Sequence, residues 1–179
     1  MFCYQKILHV TVFFCLFSFN LSAQNIDFSD INLKSALLNH APKVDMNNDN
    51  EISISEALAV TQLKLSKKNI SSIEDLVVFE NLKKLNIDTN NITTIPDVLF
   101  ERLRFLSCTK NTISSLPAVV STNLDSLYLN HNLINQANFS NTPNISNLHI
   151  SNNPLHKLNV VNLEHLAYLY FDNTQIKTI

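Results

Sequence analysis

The sequence contains no glycine. A phosphate-cradling P-loop, a dinucleotide-binding turn and a nucleophile elbow each need glycine where backbone turns sharply or meets a ligand. Those chemistries are therefore excluded. Asparagine is abundant and takes over the turns, because it tolerates left-handed backbone better than most residues. A surplus of either charge is also missing: 13 Lys+Arg stand against 15 Asp+Glu, a formal net charge of -2. Nothing in that balance draws the chain to nucleic acid or to an anionic membrane surface. Cysteine is scarce. Cys3 and Cys15 lie near the start, and Cys108 stands alone after them. One thiol cannot close an internal disulfide, so the fold must be held by core burial. Hydrophobic residues, at 45%, are numerous enough for such a core and argue against disorder.

Residues 1–23 differ from the rest. Lys6 gives a positive start, and Ile7 to Phe19 is an apolar run broken only by His9, Thr11 and Ser18. Leu21, Ser22 and Ala23 then offer a small-residue cleavage site before Gln24. This is the layout of a secretory signal peptide. The run is shorter than the ~20 apolar residues of a membrane span. The expectation is export, with no stable membrane span once the peptide is removed.

An internal period follows. Leu82, Leu85, Ile87, Asn90, Ile92 and Ile95 fit L-x-x-L-x-L-x-x-N-x-L-x-x-L. So do Leu103, Leu106, Cys108, Asn111, Ile113 and Leu116, then Leu124, Leu127, Leu129, Asn132, Ile134 and Ala137. Ile145, Leu148, Ile150, Asn153, Leu155 and Leu158 make the next copy. The last is Leu166, Leu169, Phe171, Ile176 and Ile179, with Thr174 in the asparagine place. A leading copy runs Val60, Leu63, Leu65, Ile70 and Ile73, with Lys68 in that place. The copies begin 21 or 22 residues apart. Cys108 falls at an inward position and reads as a small buried hydrophobe.

These residues resemble the leucine-rich-repeat family over about residues 60–179. The resemblance implies an α/β solenoid: a curved stack of about six repeats with short parallel strands on the concave face. The alternating x-L-x-L core agrees, since a strand alternates with period two. No single repeat could bury its leucines alone. The asparagine at each bend is expected to form a ladder between turns, broken by Lys68 and Thr174 in the outermost copies. Leu76, Phe79, Leu99, Val119, Val120, Phe139, Val160 and Leu163 are expected to face inward from the convex half. Pro96 and Pro117 there favour irregular or 3₁₀ backbone. The sequons at Asn69, Asn91, Asn138 and Asn144 read as incidental to the asparagine usage.

Residues 24–59 look like the cover a solenoid end requires. Phe28, Ile31, Leu33, Leu37 and Leu38 are expected on a helix that stops before Pro42. Asp45 to Glu56 then reads D-M-N-N-D-N-E-I-S-I-S-E, which resembles an EF-hand or dockerin-type calcium loop. Asp45, Asn47 and Asp49 occupy positions one, three and five, the Glu51 carbonyl seven, Ser53 nine and Glu56 twelve. Ca²⁺ wants six to eight hard oxygens, and this spacing wraps them around one point. One departure matters: Asn50 stands where the motif wants glycine, a turn asparagine can adopt at some strain. The alternative is an Asx-rich turn without an ion, capping a helix that starts near Ser55. A lone loop implies a structural ion and not a switch. Helix, calcium-type loop and repeats in this order resemble exported bacterial cell-surface proteins of internalin-like layout.

Three residues per strand should point from the concave sheet into solvent. The first row is Gln62, Lys84, Phe105, Ser126, Asn147 and Tyr168. The second is Lys64, Asn86, Ser107, Tyr128, His149 and Tyr170. The third is Ser66, Asp88, Thr109, Asn130, Ser151 and Asp172. Tyr128, His149 and Tyr170 are expected to form a stripe flanked by Tyr168, with Phe105 slightly apart. Exposed aromatics in a concave patch are a common recognition signature. The bland alternative is that cross-strand rings merely steady the sheet.

No paired carboxylates on a rigid element, Ser-His-Asp arrangement or cofactor motif can be found. The first expectation is thus a non-catalytic exported module binding an extracellular protein or glycan. The second is a structural or targeting segment of a longer surface protein or secreted enzyme. The copies run to Ile179 with no polar C-terminal cap after it. That arrangement would suit self-association through the open end or a fragment of a longer protein.

Overall fold

The computed structural model describes residues 24–177; the signal-type segment 1–23 and the end position Ile179 lie outside them. Eight short strands follow in chain order: β1 Gln62–Lys64, β2 Lys84–Asn86, β3 Phe105–Ser107, β4 Ser126–Tyr128, β5 Gln136–Asn138, β6 Asn147–His149, β7 Lys157–Asn159 and β8 Tyr168–Tyr170. They form two parallel sheets. The larger has six strands in the order β1-β2-β3-β4-β6-β8; the smaller pairs β5 with β7. In the large sheet, successive strands start 21 or 22 residues apart, as the sequence period requires.

Five of the six strands of the large sheet, β1 to β4 and β6, bury their middle residue fully. Leu63, Leu85, Leu106, Leu127 and Leu148 are fully buried, while their neighbours on either side are exposed or half-buried, save Ser107, which is buried too. The register is in step across the sheet: Gln62 pairs with Lys84, Lys84 with Phe105, Phe105 with Ser126, Ser126 with Asn147 and Asn147 with Tyr168. The remaining repeat positions complete one continuous core that runs from Ile26 to Leu158. In the last copy, Leu166, Leu169, Phe171 and Ile176 are only partly buried against that core.

The bends are built on asparagine. Asn111 accepts from the Ile92 N–H and donates to the carbonyls of Ile87 and Cys108, all at 3.0 Å. Asn132 repeats this with Ile113, Cys108 and Leu129, and Asn153 with Ile134, Leu129 and Ile150. Asn90 accepts from both Lys68 and Ile70 and donates to Leu65 and Ile87. Each side chain thus serves its own repeat and the one before it. Lys68, in the first copy, has no preceding repeat to serve, which explains why the ladder can end there.

Just before each of these asparagine places the backbone turns left-handed. Lys67, Thr89, Lys110, His131, Asn152 and Asn173 all have φ between 53° and 59°. Their geometry lets an N–H reach the next repeat: Lys67 donates to Asp88, Thr89 to Thr109, Lys110 to Asn130, His131 to Ser151 and Asn152 to Asp172. With no glycine available, side-chain-bearing residues carry the turn throughout.

The convex half departs from the expectation of irregular backbone. A 3₁₀ helix spans Glu74–Val78, as expected of such segments. Asp97–Arg102, however, is a short α-helix with Pro96 at its N-cap, an acidic residue in the first turn and Arg102 in the last. Proline fits a helix start, where its missing N–H has no partner to lose. Further on, β5 and β7 pair where no strand was expected. Leu76, Phe79, Leu99 and Phe139 are buried as predicted, and Val119, Val160 and Leu163 pack partly against the core. Val120 is instead 60% exposed, because Ser121 takes the inward place beside it.

Before β1 lie two helices, α1 Ile31–Leu38 and α2 Ile54–Ala59. The first starts later than its apolar pattern implies. Asp30 caps it by accepting from Asn32 and Leu33, so Phe28 precedes the helix and packs from outside it, and Ile31 on the first turn is 73% exposed. Ser53 caps α2 in a reciprocal box with Glu56. Residues 24–26 run antiparallel to 52–54, with Ile26 donating to Ile52 and Ile54 to Gln24.

Asp30 also ties α1 to the first repeat. Its second oxygen accepts from the Ser71 N–H, the Ser71 hydroxyl and the Ser72 N–H at 2.7–3.0 Å. Burial alone would raise this carboxyl, but the Ser71, Leu33 and Ser72 hydrogen bonds outweigh it and hold it at about 2. His40 makes a second tie: its Nε2 accepts the Lys64 N–H of β1, which leaves Nδ1 to donate to the Pro42 carbonyl.

Candidate ligand-binding face and cap loop

The strand register brings the sequence-predicted aromatics together on the outward face of the large sheet. Tyr128 lies next to His149, with ring centroids 4.5 Å apart, and His149 stacks on Tyr170 at 4.4 Å. Phe105, expected to stand slightly apart, is joined to this stripe: its ring lies 5.4 Å from Tyr128, across the diagonal between β3 and β4. The result is one ladder of four rings crossing β3, β4, β6 and β8. Tyr168, beside it on β8, is 56% exposed, and Tyr170 is 44% exposed. Phe105, Tyr128 and His149 are half-buried, partly by one another. Burial lowers the His149 pKa, because desolvation disfavours the charged ring.

The third outward row is organised by hydrogen bonds. Asp88 accepts from the Ser107 hydroxyl at 2.7 Å, the Thr109 N–H at 2.8 Å and the Asn86 amide at 3.0 Å. Ser66 bonds to Asn86, the Asn130 side-chain oxygen accepts from the Ser151 N–H, and the Ser151 hydroxyl accepts from the Asp172 N–H. These bonds stiffen the rim and engage Asn86 and Ser107 of the second row, leaving the first row and the rings of the second for contact.

At the β1–β3 end of the same face, Gln62, Lys64, Ser66, Lys84, Asn86 and Phe105 line a cavity of about 310 Å³. Reading the rows for aromatics alone passed over its two lysines. Strand register could have found them, since Lys64 and Lys84 sit diagonally across neighbouring strands.

The calcium-type loop folds as a nest of side-chain-to-backbone hydrogen bonds. Asp45 accepts from the N–H groups of Asn48 and Asn50, Asn47 from Asp49, and Asp49 from Glu51. Asn50 adopts φ 64°, the left-handed turn the motif ordinarily assigns to glycine. Glu56 accepts from Met46, Asn47 and the N–H and hydroxyl of Ser53. Burial would raise its carboxyl, but these bonds prevail and lower it. The Glu51 side chain pairs with Lys34 of α1 at 2.7 Å. The donors are hard oxygens, as calcium requires, but they are turned onto the loop's own N–H groups. Among the described residues no group of three or more His, Cys, Asp or Glu side chains is placed to hold a metal. Nor, among them, is any helix long and apolar enough to cross a membrane.

Cys108 lies fully buried in the core, and that burial raises its thiol pKa far above the ordinary value.

No protein-family model matches the sequence, and no curated protein matches it. Solved structures do match the fold. A functional domain of InlJ from Listeria monocytogenes, described as including a cysteine ladder, aligns with a TM-score of 0.76 at 23% identity, over 87% of this chain and 35% of that one. The internalin inlF of the same species aligns at 0.60 and 18% identity, over 90% of this chain and 62% of that one. Internalin inlC2 of that species aligns at 0.50 and 19%, over 85% and 88%. The chain therefore spans about a third of the InlJ domain and less than two thirds of inlF. In its repeats it carries Cys108 alone, so no cysteine ladder is repeated here. What the likeness establishes is the architecture: a leucine-rich-repeat solenoid of the internalin type.

Proposed function

We propose that this chain is a non-catalytic, exported binding module that recognises an extracellular protein through the concave face of its solenoid. The observation that carries the reading is the ladder of Phe105, Tyr128, His149 and Tyr170, backed by exposed Tyr168. Aromatic side chains offer large contact area at small entropic cost, and they concentrate where interfaces are strongest. A glycan could stack on the same rings. Residues 24–59 act as the cap of the stack, about six repeats follow, and the 1–23 segment directs export.

An array of extracellular proteins and glycans probed with the wild type and with Tyr128→Ala/Tyr170→Ala tests this. The expected result is a set of partners lost in the double variant while its melting temperature stays within a few degrees. If every partner survives the substitutions, or if the variant merely unfolds and Tyr168→Ala with Tyr170→Ala also leaves binding intact, the concave-face reading is wrong. The alternative is a spacing or targeting segment of a longer surface protein or secreted enzyme. It draws on the third of the InlJ domain that the chain spans, and it predicts an array indifferent to these rings.

Within the same reading, the cap loop holds a structural calcium through Asp45, Asn47, Asp49, Ser53 and Glu56 and the Glu51 carbonyl. The left-handed Asn50 supports this, since it meets the backbone demand that glycine usually meets. Carboxylates have lone pairs enough to keep an N–H and accept a cation. An ion that binds only the folded state adds RT ln(1 + [L]/Kd), about 2.7 kcal/mol at a hundredfold excess. A chelator-sensitive rise in melting temperature, lost in Asp45→Ala, is expected at millimolar calcium. No shift would reduce the loop to an ordinary turn.

A further inference from the structure

We infer that the concave face is polarised along its length and takes an extended acidic peptide segment of its partner, carboxylates over β1–β2 and an aromatic or aliphatic side chain over β4–β8. The inference rests on the concave-face reading and adds the chemistry of what lies there.

The argument starts from charge. Lys64 and Lys84 are exposed, lie diagonally across neighbouring strands and line one cavity. Among the described residues the ion pairs are Lys34 with Glu51 and Arg104 with Asp125, so neither of these lysines has a carboxylate partner. Asp88 is the nearby acid of the third row, and it is engaged by Asn86, Ser107 and Thr109. Two unpaired ammonium groups at the edge of a cavity are point charges with donors to give, which suits carboxylates.

Continuity makes this one surface. Phe105 lines the same cavity and touches Tyr128, from which the rings continue through His149 to Tyr170. The tract thus passes from cationic to apolar without a break. Neighbouring strands lie ~4.8 Å apart, so six strands span about 24 Å; an extended chain rising ~3.3 Å per residue covers that in about seven residues. The small and polar Ser126 and Asn147 beside the rings leave room for a backbone. A flat sugar chain would use the rings but has no use for the lysines unless it is acidic.

The test uses peptides of about seven residues with glutamates at one end and leucine and tryptophan at the other. The protein has no tryptophan, so the peptide's fluorescence reports binding directly. Comparators carry glutamine or lysine in place of glutamate. The expected result is at least tenfold tighter binding of the glutamate peptide than of the lysine peptide, weakening as salt rises. Lys64→Glu with Lys84→Glu should reverse the preference. Tyr128→Ala with Tyr170→Ala should weaken all peptides alike. Equal binding of the glutamate and lysine peptides, or a preference that survives charge reversal, overturns the polarity while leaving the concave face as the binding surface. Binding indifferent to the tyrosines overturns both. No binding of the glutamate peptide at millimolar concentration overturns the acidic-segment inference alone.

Discussion

Replacing Asp30 by asparagine tests how the first helix is joined to the repeats. Two oxygens of this side chain accept five hydrogen bonds, two at the helix start and three from Ser71 and Ser72. Asparagine keeps the shape, caps a helix nearly as well, and retains one acceptor. It loses the charge, and its amide must face the Ser71 and Ser72 donors. The carboxyl pKa falls from an ordinary 3.8 to about 2 in the fold. At 1.36 kcal/mol per unit that is roughly 2 kcal/mol of stability. Because the folded value is the lower one, this contribution is complete above about pH 4 and is lost as pH falls through 2. Asp30→Asn should therefore cost about 2 kcal/mol near pH 6, or about 4–8 °C in melting temperature for a chain of this size. Near pH 2 most of that difference should vanish, because the wild-type carboxyl is then half protonated. Thermal unfolding of both proteins across that pH range reads it out. A difference that is the same at pH 6 and pH 2 would show that the charge contributes nothing and that the reasoning is wrong.

Three other expectations can be measured with the same unfolding assay or a thiol reagent. Thr89→Asn should stabilise by about 1 kcal/mol, since a β-branched residue at φ 57° carries strain that asparagine relieves; an unchanged or lower melting temperature would contradict this. Asn132→Ala should cost about 1–3 kcal/mol, because it leaves the Ile113 N–H without an acceptor in the core, while the Cys108 and Leu129 carbonyls keep Asn111 and Asn153 as donors, and no measurable loss would remove the ladder from the account of stability. Cys108 should resist an aromatic disulfide reagent until urea unfolds the stack, since burial keeps the thiol protonated and out of reach; rapid labelling of native protein would disprove it.

Legibility followed periodicity. The strands at Leu63, Leu85, Leu106, Leu127, Leu148 and Leu169 could be placed because alternation and the 21–22-residue spacing both constrain them. Their register then placed Tyr128, His149 and Tyr170 side by side. The convex half escaped because its backbone is decided between repeats: Gln136–Asn138 becomes a strand only when Lys157–Asn159 lies beside it. Pro96 was misread as a source of irregularity when it starts a helix. Asp30 was overlooked as a cap, although an aspartate directly before Ile31 carries that signal; its partners Ser71 and Ser72 are forty residues distant and carry none. Phe105 was set apart because row order ignores diagonals, whereas a large ring reaches across one.

The asparagine ladder also governs how the molecule ages. Deamidation begins when the backbone nitrogen after an asparagine attacks that residue's own side-chain carbon, and it runs fastest when glycine follows. No asparagine here precedes glycine. At the ladder the attacking nitrogens are already held: Asn91 donates to Ile70, Thr112 to Ile92 and Leu133 to Ile113. After Asn153 comes Pro154, whose nitrogen has no proton to release. A chain that relies on asparagine for its turns has thereby placed its most buried amides where cyclisation to a succinimide is blocked, and its chemical lifetime is set by the exposed asparagines instead.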